Sequence, residues 1–255
     1  MDNQRIAFLL RSTYDLLPSP TNLHLWGKEE NPFCKLCGKP ANLEHILSSC
    51  QRALTEGRYR WRHDRVLRVM AREMEKEVKK SRPGQKKVVF IPFVRSGEAA
   101  KQKAERAGLL HSSPQWKMEV DLDKRLVFPM QIVTTRLRPD IIIWSESPKM
   151  VVMVELTVPW EERMVEATER KRGKYQELVE QCQEQGWRTW CLPVEVGARG
   201  FAGGSLWRTL KTLGITGRSR KNIIDSSCQE AERSSRWLWL RREERWSSPP
   251  VPSQA

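Results

Sequence analysis

The sequence predicts an α/β fold: a mixed sheet flanked by helices, with a small metal-binding knuckle and a basic helix ahead of it. Three observations carry this. Residues 140–159 hold two apolar, β-branched runs separated by a Ser/Pro-bearing turn, followed by a polar helical segment and a further apolar run at 187–196. Residues 34–50 gather three of the six cysteines around a histidine. Residues 56–80 read as one long helix crowded with arginine.

The paired runs are the most informative part. Arg138-Pro139-Asp140 leads into Ile141-Ile142-Ile143-Trp144, and Met150 to Val154 leads through Glu155 into Leu156-Thr157-Val158-Pro159. Side chains alternate along a strand, so Glu155 shares a face with Met153 and Thr157. An ionised carboxylate among apolar neighbours is costly to bury unless a cation or strong donors meet it. Two such carboxylates at the ends of adjacent strands seat a hard divalent ion, so Asp140 and Glu155 are its candidate ligands. In the helix that follows, about 100° per residue puts Met164, Ala167, Tyr175, Leu178 and Cys182 on one stripe facing the sheet. Lys171 falls in the middle of that stripe, where a leucine is expected, and a buried-facing lysine needs a partner. The carboxylate pair is that partner.

Cys34, Cys37, His45 and Cys50 follow the spacing C-x2-C-x7-H-x4-C. Two cysteines two apart chelate one tetrahedral Zn²⁺ from a tight turn, Gly38 supplies the backbone freedom that turn needs, and the helix beginning at 42–47 brings His45 near Cys50. The segment is too poor in apolar residues to hold alone, so metal binding and folding are one event there.

Charge points to a phosphate polymer. The net charge is +14. Residues 51–82 carry eleven basic against five acidic groups, as do residues 199–246, while residues 115–198 hold twelve against fourteen. Basic flanks around a near-neutral centre suit a nucleic acid gripped on both sides of a metal-binding cleft. Arg58, Arg60, Arg62, His63 and Arg65, interleaved with Tyr59 and Trp61, are the candidate contacts, and Arg138 a further one beside the acids. For His63 a catalytic role is the other alternative, and a helix-surface or capping role is favoured over it. No apolar run reaches the ~20 residues of a membrane span. The N-terminus lacks a signal peptide, and the cysteine spacing favours an intracellular metal site over a disulfide lattice.

Arg-Pro-Asp-x14-Glu followed by Lys171-x-x-Lys174-Tyr175 resembles the restriction-enzyme-like endonuclease of site-specific non-LTR retrotransposons, a branch of the PD-(D/E)xK nucleases. The x7 spacing before the knuckle histidine and the Arg62-His63-Asp64 run also resemble that family. The chain departs from the superfamily pattern at position 157, which is Thr rather than Lys. In the retrotransposon branch the lysine comes from the next helix, where Lys171 and Lys174 lie. The resemblance implies a restriction-endonuclease-like core and Mg²⁺-dependent nicking of a nuclear DNA target, with the element's RNA as a further partner. It assigns Asp140 and Glu155 to the metal, Lys171 or Lys174 to the attacking water, and Tyr175 to positioning or packing. It suggests an early acid, for which Glu119 is the candidate. No Asp-Asp pair exists in the chain, so a reverse transcriptase would lie upstream in the parent polypeptide. A detached copy would cut without that coupling or persist as an inactive relic. The rivals are a non-catalytic zinc-dependent RNA/DNA binder and a purely structural protein.

The expected organisation is an N-terminal helix (6–17) and loop within 1–33, the knuckle and basic helix at 34–82, and a connecting strand (87–94) and helix (97–108) within 83–114. The nuclease core follows at 115–198, with strands at 125–128 and 132–135 before the acids. Residues 199–246 hold basic helices at 205–213 and 219–246, whose tryptophans pack on the core. The tail 247–255 reads as disordered. Linkers are expected at 81–84 and 111–114.

Overall fold

The computed structural model describes residues 3–80, 108–113 and 115–246. The linker expected at 81–84, the strand over 87–94, most of the helix over 97–108 and the tail 247–255 lie outside the described residues.

The chain opens with α1 (Asn3–Thr13) and α2 (Pro20–Leu25), then α3 (Gln51–Thr55) and the long α4 (Arg58–Lys80). A four-stranded sheet follows in the order β1 (Lys117–Val120), β2 (Ile141–Ser145), β3 (Met150–Thr157) and β4 (Arg188–Glu195). The first three strands are antiparallel, and β4 lies parallel to β3 after a crossover through α5 (Met164–Glu184). Two more helices, α6 (Gly204–Leu213) and α7 (Gly217–Leu240), complete the described chain. The architecture is mixed α/β.

β2 and β3 pair from Ile141↔Val154 to Ser145↔Met150, and Lys149 takes a positive φ of 55° to close the turn. Both strands are buried on both faces, which explains their nearly unbroken apolar reading. On one face Ile141, Ile143, Val152, Val154 and Leu156 pack with Val66, Leu67, Met70 and Met74 of α4 and with α6 and α7. On the other, Ile142, Trp144, Val151 and Met153 meet Tyr175, Leu178 and Cys182 of α5. Helices therefore cover both faces, and each large apolar side chain so buried contributes about 1.5–3 kcal/mol. A separate small core joins Phe8, Leu17, Leu43, Ile46 and Leu47 to Leu238 and Trp239, tying the N-terminal segment and the Cys/His segment to the end of α7.

Several expectations are corrected. The strands expected at 125–128 and 132–135 are absent: residues 121–140 form an irregular segment, and the edge strand lies earlier, at Lys117–Val120. Asp123 and Lys124 both take positive φ (58° and 59°), which turns the chain out of an extended course. Leu126, Phe128 and Ile132 still bury themselves against the sheet, and that is why they read as strand. Of the linker expected at 111–114, residues 111–113 are described: Ser113 is buried and bonded to Ser145, and on either side Leu110 lies in the core with Trp116 Nε1 donating to its carbonyl at 3.0 Å. The N-terminal loop contains α2, capped by the Ser19 hydroxyl on the Asn22 amide with Pro20 at the first position. Most consequentially, α4 packs directly on the sheet through its apolar face, so the basic helix belongs to the same core as the proposed acids.

Candidate active site and metal centre

The hairpin brings Asp140 and Glu155 together. Asp140 sits just before β2 and Glu155 near the end of antiparallel β3, and the Asp140 amide donates to Glu155 Oε1 at 3.0 Å. Asp140 Oδ2 accepts from the Leu156 amide at 2.8 Å. Lys171 reaches them from α5: its Nζ lies 2.6 Å from Glu155 Oε2 and 4.0 Å from Asp140 Oδ2. Glu155 is 1% exposed, so this ammonium is the compensation its burial requires. Lys174 points its Nζ elsewhere, to the Tyr175 hydroxyl at 2.7 Å, so of the two lysines it is Lys171 that contacts the acids. Tyr175 is fully buried and donates to the Arg138 carbonyl at 3.0 Å, pinning the residue two before Asp140.

His63 joins this group. Its Nδ1 lies 2.9 Å from Asp64 Oδ1, and its Nε2 lies 3.2 Å from Asp140 Oδ2 and 3.3 Å from the Leu156 carbonyl. Ionised carboxylates and a carbonyl can only accept, so this arrangement favours the doubly protonated imidazolium. Burial alone would depress its pKa, but the bonds to Asp140 and Asp64 win and raise it to about 9. Burial likewise opposes charge on Asp140, yet the bond from His63 and the charges of His63 and Lys171 hold its carboxyl below the ordinary value. Glu155 moves the other way, pushed up by burial and by the Asp140 charge against the pull of Lys171. His63 is therefore part of the acidic cluster, not a surface contact on α4. Arg62-His63-Asp64 was visible in the sequence, but only the docking of α4 onto the strand ends shows where the ring goes.

A cleft of about 580 Å³ opens over these residues. Its lining includes Arg60, Arg136, Arg138, Arg163, Arg170 and Lys174 around Asp140, Glu155 and Lys171. Arg136, Arg138 and Arg170 are exposed, and Arg138 also donates to the Lys124 carbonyl at 2.6 Å. Arg60 pairs with Asp64 at 2.8 Å and reaches Asp121. Three arginines expected to hold nucleic acid are instead engaged by other groups of the protein. Arg58 is 2% exposed and donates to the carbonyls of Arg241 and Glu244, closing the end of α7. Arg62, equally buried, donates to Ser235 Oγ and the Val158 carbonyl. Arg65 pairs with Glu230 at 2.7 Å. Glu119 lies exposed on the edge strand and does not line the cleft. Of the acids near the strand end it is Asp121 that lines the cleft, buried, with its amide on the Asp140 carbonyl and its Oδ1 accepting from the Leu126 amide. Acids at 119, 121 and 123 flank the strand end in the sequence, and only the strand's true limit selects among them.

Two carboxylates with an ammonium already drawn between them form a hard, anionic oxygen set, and that chemistry fits Mg²⁺. Thr157 Oγ1, two residues after Glu155, is buried without a hydrogen-bond partner among the described residues and also lines the cleft.

The Cys/His motif closes as spaced. Ligand atoms of Cys34, Cys37, His45 and Cys50 all lie within 4.8 Å of one another. Cys34 Sγ is 3.9 Å from Cys50 Sγ, and Cys37 Sγ is 3.3 Å from His45 Nε2. A tetrahedral Zn²⁺ with bonds of ~2.0–2.3 Å needs ligand separations of about 3.5–3.8 Å, so the set fits zinc. Gly38 follows Cys37 with φ +71°, its amide closing on the Cys34 carbonyl at 2.8 Å. The Tyr59 hydroxyl bonds the His45 and Ile46 carbonyls and the Cys50 amide, fastening this loop to α4. Glu44, beside His45, pairs with Arg163 of the cleft lining at 2.7 Å.

No family model and no curated protein matches the chain. Among the described residues no helix is long and apolar enough to cross a membrane.

Proposed function

We propose that the chain is a metal-dependent DNA endonuclease of the PD-(D/E)xK type, resembling the endonuclease that nicks target DNA for non-LTR retrotransposition. The observation that carries this reading is the convergence of Asp140, Glu155 and Lys171 from two strands and a helix at the floor of a basic cleft. An antiparallel hairpin carrying the acids, crossed by α5 to a parallel strand, is also what a restriction-endonuclease-like core requires.

Asp140 and Glu155 would hold Mg²⁺, which supplies a Lewis acid for the scissile phosphate and acidity for a bound water. Lys171, fixed by Glu155, offers a compact positive charge to the attacking water and to charge developing on the phosphorane. Arg136, Arg138 and Arg170 on the rim hold backbone phosphates, contacts that fix register without reading sequence. Tyr175 packs beneath the site and keeps Arg138 and Asp140 in line. The zinc-bearing loop contributes Ser48 to the cleft lining, and its Glu44 pairs with Arg163, which also lines the cleft. The implied partners are target DNA and, in a parent element, its RNA, which places the activity in the nucleus.

The test is relaxation of supercoiled plasmid by the zinc-loaded protein with and without Mg²⁺. Nicking is expected from the wild type with Mg²⁺ and a loss of at least ~10²-fold in Asp140→Ala, the scale of removing one stabilising group from an active site. Intact plasmid in both, together with tight salt-sensitive DNA binding, would identify a zinc-dependent nucleic-acid binder instead.

A further inference from the structure

His63 is not on any of the elements that carry the acids. It comes from α4, yet its Nε2 reaches Asp140 Oδ2 and the Leu156 carbonyl while Nδ1 is held by Asp64, itself bonded by Arg60. Both hydrogen bonds found on Asp140 side-chain oxygens, from His63 and from the Leu156 amide, fall on Oδ2. A carboxylate gripped through one oxygen has its plane and its second oxygen set by those partners. One turn earlier on the same helix, Tyr59 grips the zinc loop through three backbone groups.

We infer that His63 is a positioning residue for the divalent-metal site: it fixes the Asp140 carboxylate, and through α4 it ties that carboxylate to the zinc-bearing loop. This rests on the endonuclease reading above for the role of Asp140, and it adds a group from outside the two strands and α5. Outer partners that orient a metal-binding carboxylate typically change metal affinity 10–100-fold when removed.

The direct test is calorimetric titration of Mn²⁺ into the full zinc-loaded chain, comparing wild type, Asp140→Ala, His63→Gln and Asp64→Asn. Wild type should bind, Asp140→Ala should lose the site, and His63→Gln should bind 10–100-fold more weakly. Asp64→Asn, which leaves the ring in place but removes its charged anchor, should weaken binding in the same direction by less. In plasmid nicking, the half-saturating Mg²⁺ for His63→Gln should rise by the same factor, with the rate restored to within a few-fold at saturating Mg²⁺. Zinc content and metal-free DNA affinity should not change, which separates positioning from general damage to the fold. Unchanged Mn²⁺ affinity in His63→Gln, or a nicking defect that excess Mg²⁺ does not repair, overturns the inference. If His63→Gln does not fold, unchanged affinity in Asp64→Asn overturns it. A wild type that binds Mn²⁺ with this variant pattern but leaves plasmid intact refutes the nuclease reading while the positioning role stands. A wild type that binds no Mn²⁺ refutes the positioning role.

Discussion

Replacing Lys171 with methionine keeps the stem of the side chain and deletes the charge that meets Glu155 at 2.6 Å. Glu155 is 1% exposed, so the variant must either bury an uncompensated carboxylate or protonate it. Removing one partner of a buried ion pair costs about 3–5 kcal/mol. Protonation caps that cost. Bringing a carboxyl of ordinary pKa ~4.3 to its neutral form at pH 7 takes about 1.4 kcal/mol per unit, or roughly 3.7 kcal/mol. The two routes agree, and with Lys171 itself 20% exposed in its side chain the expected loss is on the order of 3 kcal/mol at pH 7. In the variant the folded-state pKa of Glu155 lies above its unfolded value. The folded form therefore binds more protons between those values, and the variant regains stability as pH falls. Urea unfolding of wild type and Lys171→Met at pH 7.5 and 5.5, without divalent metal, reads this directly. The deficit should shrink by about 2 kcal/mol over those two units. Adding Glu155→Gln should recover most of it. A deficit below about 1 kcal/mol, or one equal at the two pH values, would refute the claim that Lys171 neutralises a buried acid.

Three further outcomes follow from the same structure. The bonds that raise His63 to about 9 stabilise its charged form, so their contribution is complete below the unfolded value of about 6.5 and is lost as pH rises through 9. A pH series of melting for wild type against His63→Gln should show a gap on the order of 3 kcal/mol at pH 6 closing by pH 10, and a pH-independent gap would contradict the ion pairing. Metal analysis should find one zinc per chain, and Cys50→Ser or a strong chelator should release the zinc and melt residues 34–50 first, seen as early amide exchange there; equal exchange with and without zinc would contradict the metal centre. Arg136→Ala and Arg170→Ala should each weaken DNA binding and lower the salt slope by about one. Arg62→Ala should instead destabilise the fold by about 3 kcal/mol and leave the slope alone; a slope change in folded Arg62→Ala would place that guanidinium on the DNA after all.

Local chemistry made much of this legible without coordinates. The triple isoleucine and the Met150–Val154 run read as paired strands from their apolar, β-branched content and the turn between them; that both faces are buried came from the structure. The knuckle was equally plain, because chelation by residues two apart depends on a tight turn that a few consecutive residues encode. Lys171 stood out because the 3.6-residue period put a charge where the core needed a leucine, and its partner followed from the two acids on the hairpin. The segment 121–140 was misread because burial, not pairing, explains its apolar residues, and positive φ at Asp123 and Lys124 leaves no trace in an apolar pattern.

Sequence alone thus determined the sheet's central hairpin, the Cys3His set and the two acids with their lysine, since each depends on spacing within one element or between neighbours in the chain. Tertiary structure decided which arginines face the cleft and which close helix ends, why Asp121 rather than Glu119 lies at the floor, and that His63 reaches Asp140 across 77 positions of chain. Those outcomes turn on how α4 docks against the strand ends. That docking is set by the fit of Val66, Leu67, Met70 and Met74 to the sheet, a long-range packing choice that no local period records.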